Sequence, residues 1–329
     1  MEPFVPIEYH QTRDFSKKLS ATFEFLKQNF KSLFKSLLFI AGPPMLIGSV
    51  FAGSLYNDYF NWIGDITRNP ENSSLGFEAL GTPVLWLEIA GAVFFLLASG
   101  IMIISVVYNY MKEYESTKSN VIDVNIIWER VRSTLPSYIT TMLLFWLLII
   151  ASYALIVGTI FGAGLLSPFL AFITGMGIVF GFIYVAITLS LLFIIRAYEN
   201  LDFFQSVSRC FYLIRDKWWS TFGLLFVLNL IQSTLASIFL VPWYINFFVS
   251  MMHSLEGGPV QETSLFSDVI NNLFMTLYFL VSFLLYALPL VAIAFQYFNL
   301  VERKEARGLM SRIENFGEPV NANRTDEHF

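Results

Sequence analysis

Long apolar runs alternate with charged, amphipathic stretches along the whole chain. A helix rises about 1.5 Å per residue, so roughly 20 mostly apolar residues cross the hydrocarbon of a bilayer. Runs of that kind extend from about Ser36 to Leu55, Val84 to Tyr108, Tyr138 to Phe161, Pro168 to Ala197, Thr221 to Phe248 and Val269 to Leu300. Gly42-Pro43-Pro44 interrupts the first, and Gly162-Ala163-Gly164 alone separates the third from the fourth, which predicts a tight hairpin at those glycines. The sixth is long enough to tilt or to project past the bilayer. Between Tyr56 and Pro83 the pattern predicts a solvated loop carrying Asp58, Phe60, Trp62, Asp65 and Glu78, with room for a partner.

The stretches between runs have their own period. Phe15, Leu19, Phe23, Leu26, Phe30 and Leu33 recur at helical spacing, with Lys17, Lys18, Glu24, Lys27, Gln28 and Lys31 largely off the stripe. This predicts a helix lying in the membrane interface. Phe203, Val207, Cys210, Phe211 and Ile214 form a comparable stripe, followed by Arg215-Asp216-Lys217-Trp218-Trp219, residue types that favour headgroups. Shifting the first unit by 188 positions pairs Asp14-Phe15 with Asp202-Phe203 and Phe30 with Trp218. Ile122, Ile126, Ile127, Val131 and Leu135, ahead of Pro136, give a shorter middle version. The expected organisation is a single domain over residues 1–317, built from three repeats (about 14–111, 121–198 and 199–303) of interfacial helix plus helical hairpin. A further amphipathic helix is expected over about 302–316, then a disordered tail at 318–329.

Composition sharpens this picture. Hydrophobic residues make up 56% of the chain and charged ones 14%, against about 25% charged in soluble domains, and the mean hydropathy is +0.61. The expected class is therefore an all-α, polytopic membrane bundle with six transmembrane helices. The single cysteine, Cys210, excludes an intramolecular disulfide, and with no histidine near it no zinc site is expected. The first thirty residues lack a signal-peptide pattern and are expected to remain as written. Of the twenty basic residues, all but Arg68 fall in the N-terminal stretch, the second and fourth connections or the tail. By the positive-inside bias both termini are expected in the cytoplasm.

Three segments are similar to a bacterial integral-membrane family that groups the membrane domain of some glycerophosphodiester phosphodiesterases with six-span proteins of the YciC type. They are DFSKKLSATFEFLKQNFKSLFKSLL (Asp14 to Leu38), ENLDFFQSVSRCFYLIRDKWWSTFGLL (Glu199 to Leu225) and YFNLVERKEARGLMSRIENFG (Tyr297 to Gly317). The resemblance implies a multi-pass protein of the bacterial cytoplasmic membrane. It does not extend to hydrolysis: the phosphodiesterase chemistry needs a soluble barrel with paired histidines, whereas this chain has only His10, His253 and His328 and no His-Arg-Gly element.

Few residues offer chemistry. Glu88 is the one ionisable group well inside a run, and intramembrane carboxylates mark ion or proton pathways unless they reach the headgroups. In the fifth run Asn229, Gln232, Ser233 and Ser237 share roughly one face, suited to interhelical hydrogen bonds or to a solute path. Asn271, Asn272 and Gln296 are read as interfacial. Gly158-x-x-x-Gly162 and Gly177-x-x-x-Gly181 suggest close helix packing. Pro43, Pro44 and Pro289 are candidate helix breaks. Phe15, Leu19, Phe23, Lys27, Phe30, Arg215, Trp218 and Trp219 form a candidate surface for membrane lipids or a protein partner. No cofactor, metal or nucleic-acid site is expected, and no catalytic constellation can be assembled. The leading expectation is a non-enzymatic scaffold or accessory subunit, and the alternative is a transporter of small solutes or lipids using the fifth run and Glu88.

Overall fold

Asp14, Asp123 and Asp202 each stand at the N-cap of a helix, where a carboxylate suits the free amides of the first turn. A computed structural model describes residues 4–68, 82–255 and 265–316, and every element among them is helical. Helix α1 (Phe15–Ile40) leads into α2 (Gly42–Arg68), with a bend of 66° at the break. Pro43 and Pro44 occupy the first turn of α2, where the missing N–H has no intrahelical acceptor to lose. The first crossing therefore begins at Gly42; residues 36–40, expected within it, complete α1. Helix α2 also continues to Arg68, so part of the expected loop is helical, while residues 69–81 and the tail from Gly317 lie outside the described residues.

The chain continues through α3 (Pro83–Thr117), α4 (Val124–Leu166), α5 (Pro168–Leu189), α6 (Leu192–Glu199), α7 (Phe203–Ile214) and α8 (Trp218–Ser237). A single 3-10 turn at Ile238–Leu240 leads to α9 (Val241–Leu255), α10 (Leu265–Leu285), α11 (Ala287–Glu305) and α12 (Arg307–Phe316). Helix α4 passes through Pro136 without a break, so the middle amphipathic stretch and the third run are one helix of 43 residues. The hairpin turn falls at Ser167, not at Gly162-Ala163-Gly164. Ser167 caps α5 by accepting from Phe169 N at 3.2 Å, and Pro168 takes the first helical position. The glycines stay helical because in lipid the backbone has no other partner.

Among the described residues five stretches are long and apolar enough to cross a membrane, and the bent α1–α2 pair brings the number to six. Helix α2 packs most extensively against α3 and α10, which sets it beside two of the others. The protein is thus an all-α, multi-pass membrane bundle. At one end, here the near end, the N-terminal segment meets the last turns of α3 and α11: Tyr9 stacks on Tyr114 at 6.0 Å and on Phe298 at 4.9 Å, and its hydroxyl donates to Met111 O. The returning helices α3, α6 and α11 end there at Lys118, Asn200 and Ala306, each left-handed with φ of 50 to 51°.

The core also lies toward this end. Every residue of α11 from Ala287 to Val301 is buried, with α1, α3, α6, α7 and α8 around it. The α4–α5 hairpin is the opposite case: Leu147, Ile150, Leu155, Phe161, Phe169, Phe172 and Phe180 are all exposed. Helix α1 turns an unexpected face inward. Lys18, Thr22, Phe25, Asn29, Leu33 and Ser36 are buried, while Phe15, Phe23 and Phe30 of the anticipated stripe are exposed.

Candidate functional site

The polar residues of the membrane runs do not converge. Glu88 is half-buried, and Ser54 Oγ of α2 donates to it at 3.4 Å. On α8, Asn229 donates to Leu225 O, Ser233 to Leu230 O and Ser237 to Thr234 O, all within one helix or its immediate extension. Gln232 alone reaches another helix, donating to Ser282 O of α10 at 2.9 Å. Glu88 therefore belongs to the α2–α3 pair and Gln232 to the α8–α10 pair. Pro289 is the third residue of α11, following a break at Tyr286.

The small-residue motifs are placed differently from expectation. A Cβ added at Gly158, Gly162, Gly177 or Gly181 would meet nothing within 4 Å. Close backbone approach occurs instead at Gly48, where an added Cβ would stand 3.2 Å from Leu96 N, and at Gly53, where one would stand 3.2 Å from Thr276 N. Nothing in the spacing of Gly48 and Gly53 marks them beforehand, since they form no four-residue motif.

At the near end the candidate surface divides in two. Phe15, Phe23, Lys27, Phe30, Arg215 and Trp219 are exposed. Leu19 packs beside Leu224 and Leu228, and Trp218 donates from Nε1 to Tyr184 O while stacking on Tyr184 and Phe222. These two serve the bundle itself.

Beneath that surface lies a polar core that periodicity did not reveal. Lys18, 2% exposed, donates from Nζ to Gln296 Oε1 at 2.6 Å and to Ser220 Oγ at 2.8 Å. Gln296, read as interfacial, is fully buried in α11 and donates from Nε2 to Thr221 Oγ1. Burial lowers the Lys18 ammonium to about 8, the cations Arg303 and Lys217 push it the same way, and Asp14 opposes them. Asn299 Oδ1 accepts from Arg13 N at 2.7 Å. The guanidinium of Arg13 donates to Tyr9 O and Glu8 O and lies over the Phe295 ring.

A second cluster ties α6, α7, α11 and α12. Glu199 accepts Nε and Nη2 of Arg209 at 2.8 and 3.0 Å and the hydroxyl of Tyr297 at 2.9 Å. Arg209 also reaches Glu305 at 2.5 Å, and Arg307 pairs with both carboxylates. Burial opposes the charge on Arg209, but Glu305 and Glu199 outweigh it and raise its pKa. Glu302 accepts the amides of Gly308 and Leu309 and so caps α12.

Beside this cluster is a cavity of about 520 Å³ bordered by Glu8, His10, Glu115, Lys118, Tyr198 and Arg307. Burial lowers the His10 imidazole and raises the Glu115 carboxyl. Gly308 fits at the rim because a Cβ there would stand 2.7 Å from His10 O. The buried Cys210 thiol is pushed up to about 12 and is unreactive as a thiolate. Among the described residues no three His, Cys, Asp or Glu side chains come together as metal ligands. Comparison of the chain with protein-family models, curated proteins and solved structures finds no match.

Proposed function

We propose that this protein is a non-enzymatic scaffold or accessory subunit of the bacterial cytoplasmic membrane, held with both termini in the cytoplasm and interacting through its near end with lipid. One observation carries the reading: a buried polar core, in which Lys18, Gln296 and Thr221 satisfy one another, lies beneath an exposed rim of aromatic and basic side chains. Rings and cations of that kind hold to headgroups. The concentration of basic residues in the near-end segments supports the orientation, and the likeness of Asp14 to Leu38, Glu199 to Leu225 and Tyr297 to Gly317 to the six-span family supports the bacterial membrane. The N-cap aspartates Asp14, Asp123 and Asp202, followed by Lys118, Asn200 and Ala306 where helices return, favour a threefold repeat of one unit.

A transporter needs polar groups along one path, and the separate placement of Glu88 and Gln232 gives that alternative less support. Extraction in mild detergent or native-lipid discs tests the proposal. The expected outcome is one enriched lipid class or a stoichiometric partner with the purified chain. Recovery of neither, together with solute flux in proteoliposomes that an Asn229→Leu, Gln232→Leu, Glu88→Gln variant abolishes, would replace it with the transporter.

A further inference from the structure

Outside the polar core the near end has a second concavity, a groove of about 1040 Å³ between α1 and the connection that joins α3 to α4. Its α1 wall carries Lys27, Lys31 and Lys35, one helical turn apart and all exposed. Among the described residues none of the three has an ion-pair partner. The opposite wall is apolar and held still. Ser32 Oγ donates to Ile122 O at 2.6 Å and accepts from Ile122 N, while Asn120 donates to Gln28 O. Val121, between these clamps, is 84% exposed and Ile126 is 44% exposed, and Phe30 on the α1 wall is 54% exposed. The one carboxylate lining the groove, Asp123, accepts Asn125 N as the cap of α4.

A row of unpaired ammonium groups facing a rigid apolar wall is complementary to a molecule with an anionic head and a hydrocarbon body. The depth is right as well. Lys35 lies less than two turns before the 66° bend that starts the first crossing, and the intervening Leu38 and Phe39 are exposed apolar residues. The lysines thus stand at the level of the headgroups, with hydrocarbon beginning just beyond them.

We infer that this groove is a binding site for one anionic phospholipid of the surrounding leaflet. Its phosphate sits among Lys27, Lys31 and Lys35, and the start of an acyl chain lies along Phe30, Val121 and Ile126. The inference rests on the lipid-interacting reading above and gives it a specific site and ligand class.

The test uses the full-length chain in a neutral detergent, titrated with short-chain phosphatidylglycerol, short-chain phosphatidylcholine and inorganic phosphate, each followed by thermal shift and by native mass spectrometry. The wild type should bind phosphatidylglycerol well above the other two. Replacing all three groove lysines by Gln should weaken it on the order of 100-fold. Replacing them by Arg should leave it within about threefold, since the cationic charge is retained. Lys17 and Arg132, both exposed and outside the groove, exchanged together for Gln should change it less than about threefold. Val121→Asn, which removes apolar surface without adding charge, should weaken the phospholipid and leave phosphate unchanged.

Unaltered phosphatidylglycerol binding in the groove Gln variant, with preference for the anionic lipid intact, would overturn this site and leave the lipid reading standing. Equal response to inorganic phosphate, with phosphatidylglycerol binding insensitive to Val121→Asn, would make it a plain anion site and overturn the inference. No preference of the wild type for phosphatidylglycerol over phosphatidylcholine would remove both the site and its premise.

Discussion

The sixth apolar run and the α4–α5 hairpin have similar mean hydropathy over their most apolar stretches, 2.3 against 2.4 and 2.7, yet they occupy opposite surroundings. From Ala287 to Val301 α11 is enclosed at every position, whereas most large residues of the hairpin face outward, and Leu144, Phe145 and Leu148 form a half-buried inner stripe. Hydropathy registers the cost of leaving a side chain in water, and lipid and protein interior relieve that cost about equally. What separates the two regions is polar. Helix α11 carries Gln296 and Asn299, each paired with another element, and its buried neighbour α1 contributes Lys18. The outer hairpin's hydroxyls bond back to their own helix, as Thr159 does to Ile156 O. A polar residue that reaches across to a second helix is the mark of a protein-facing surface.

The largest effect that would break this contrast is a cavity. Phe295, enclosed by Tyr9, Phe25 and Arg13, should cost about 3 to 5 kcal/mol when changed to Ala. Phe172→Ala in the hairpin should cost under about 0.5 kcal/mol, because lipid closes over the gap. Reversible unfolding in mixed micelles measures both, and equal costs would mean that the hairpin is packed against protein.

Next in size is the charged cluster. Glu199→Ala leaves Arg209 with Glu305 alone and removes the acceptor of Tyr297. Its expected cost is about 3 kcal/mol, read by the same unfolding and by loss of protease resistance in α12. A smaller contrast comes from the glycines. Gly53→Ala presses a methyl against Thr276 N and should cost about 1 to 2 kcal/mol, while Gly177→Ala should be neutral within about 0.5 kcal/mol.

A different kind of signal is a pH slope. The Lys18 ammonium is lowered to about 8 when folded, against about 10.4 for a free lysine. Below pH 8 it is charged in both states and its burial opposes folding in full. Between about 8 and 10.4 the unfolded chain keeps a proton that the folded chain has released, so stability should rise with pH. Lys18→Met should flatten that rise in melting temperatures taken from pH 7 to 10.5, and an unchanged slope would place its origin elsewhere.

Helix class and most crossing positions were legible in sequence because apolar length is a local property. The limits of the first run were less so, since residues 36–40 are as apolar as the span that follows Gly42 and only the geometry of the bend divides them. Periodicity located α1 but assigned its apolar stripe without saying which solvent it meets. Phe15, Phe23 and Phe30 turn outward while Lys18 and Asn29 turn in. A lysine spaced among other lysines gives no sign that Gln296, 278 positions away, will accept from it. Gly158 and Gly177 carry the familiar spacing yet have open space where a Cβ would sit, whereas Gly48 and Gly53 have no such spacing and leave little room for one. Motif spacing describes one helix; contact requires a second.

The most direct test of the account is a spin-label scan in nanodiscs over residues 287–301 and 143–187, reading access of oxygen and of a water-soluble nickel complex. The single buried cysteine, Cys210, is first replaced by Ala. Low access to both reagents is expected throughout α11, and high oxygen access on the outer face of the hairpin at Leu147, Ile150, Phe172 and Phe180, with a shielded stripe only where α4 packs on α3 and α5. A nickel-accessible stripe through Gln296 would contradict this by revealing a water path in the core, and shielding at Leu147, Ile150, Phe172 and Phe180 would show that the outer face of the hairpin meets protein instead of lipid.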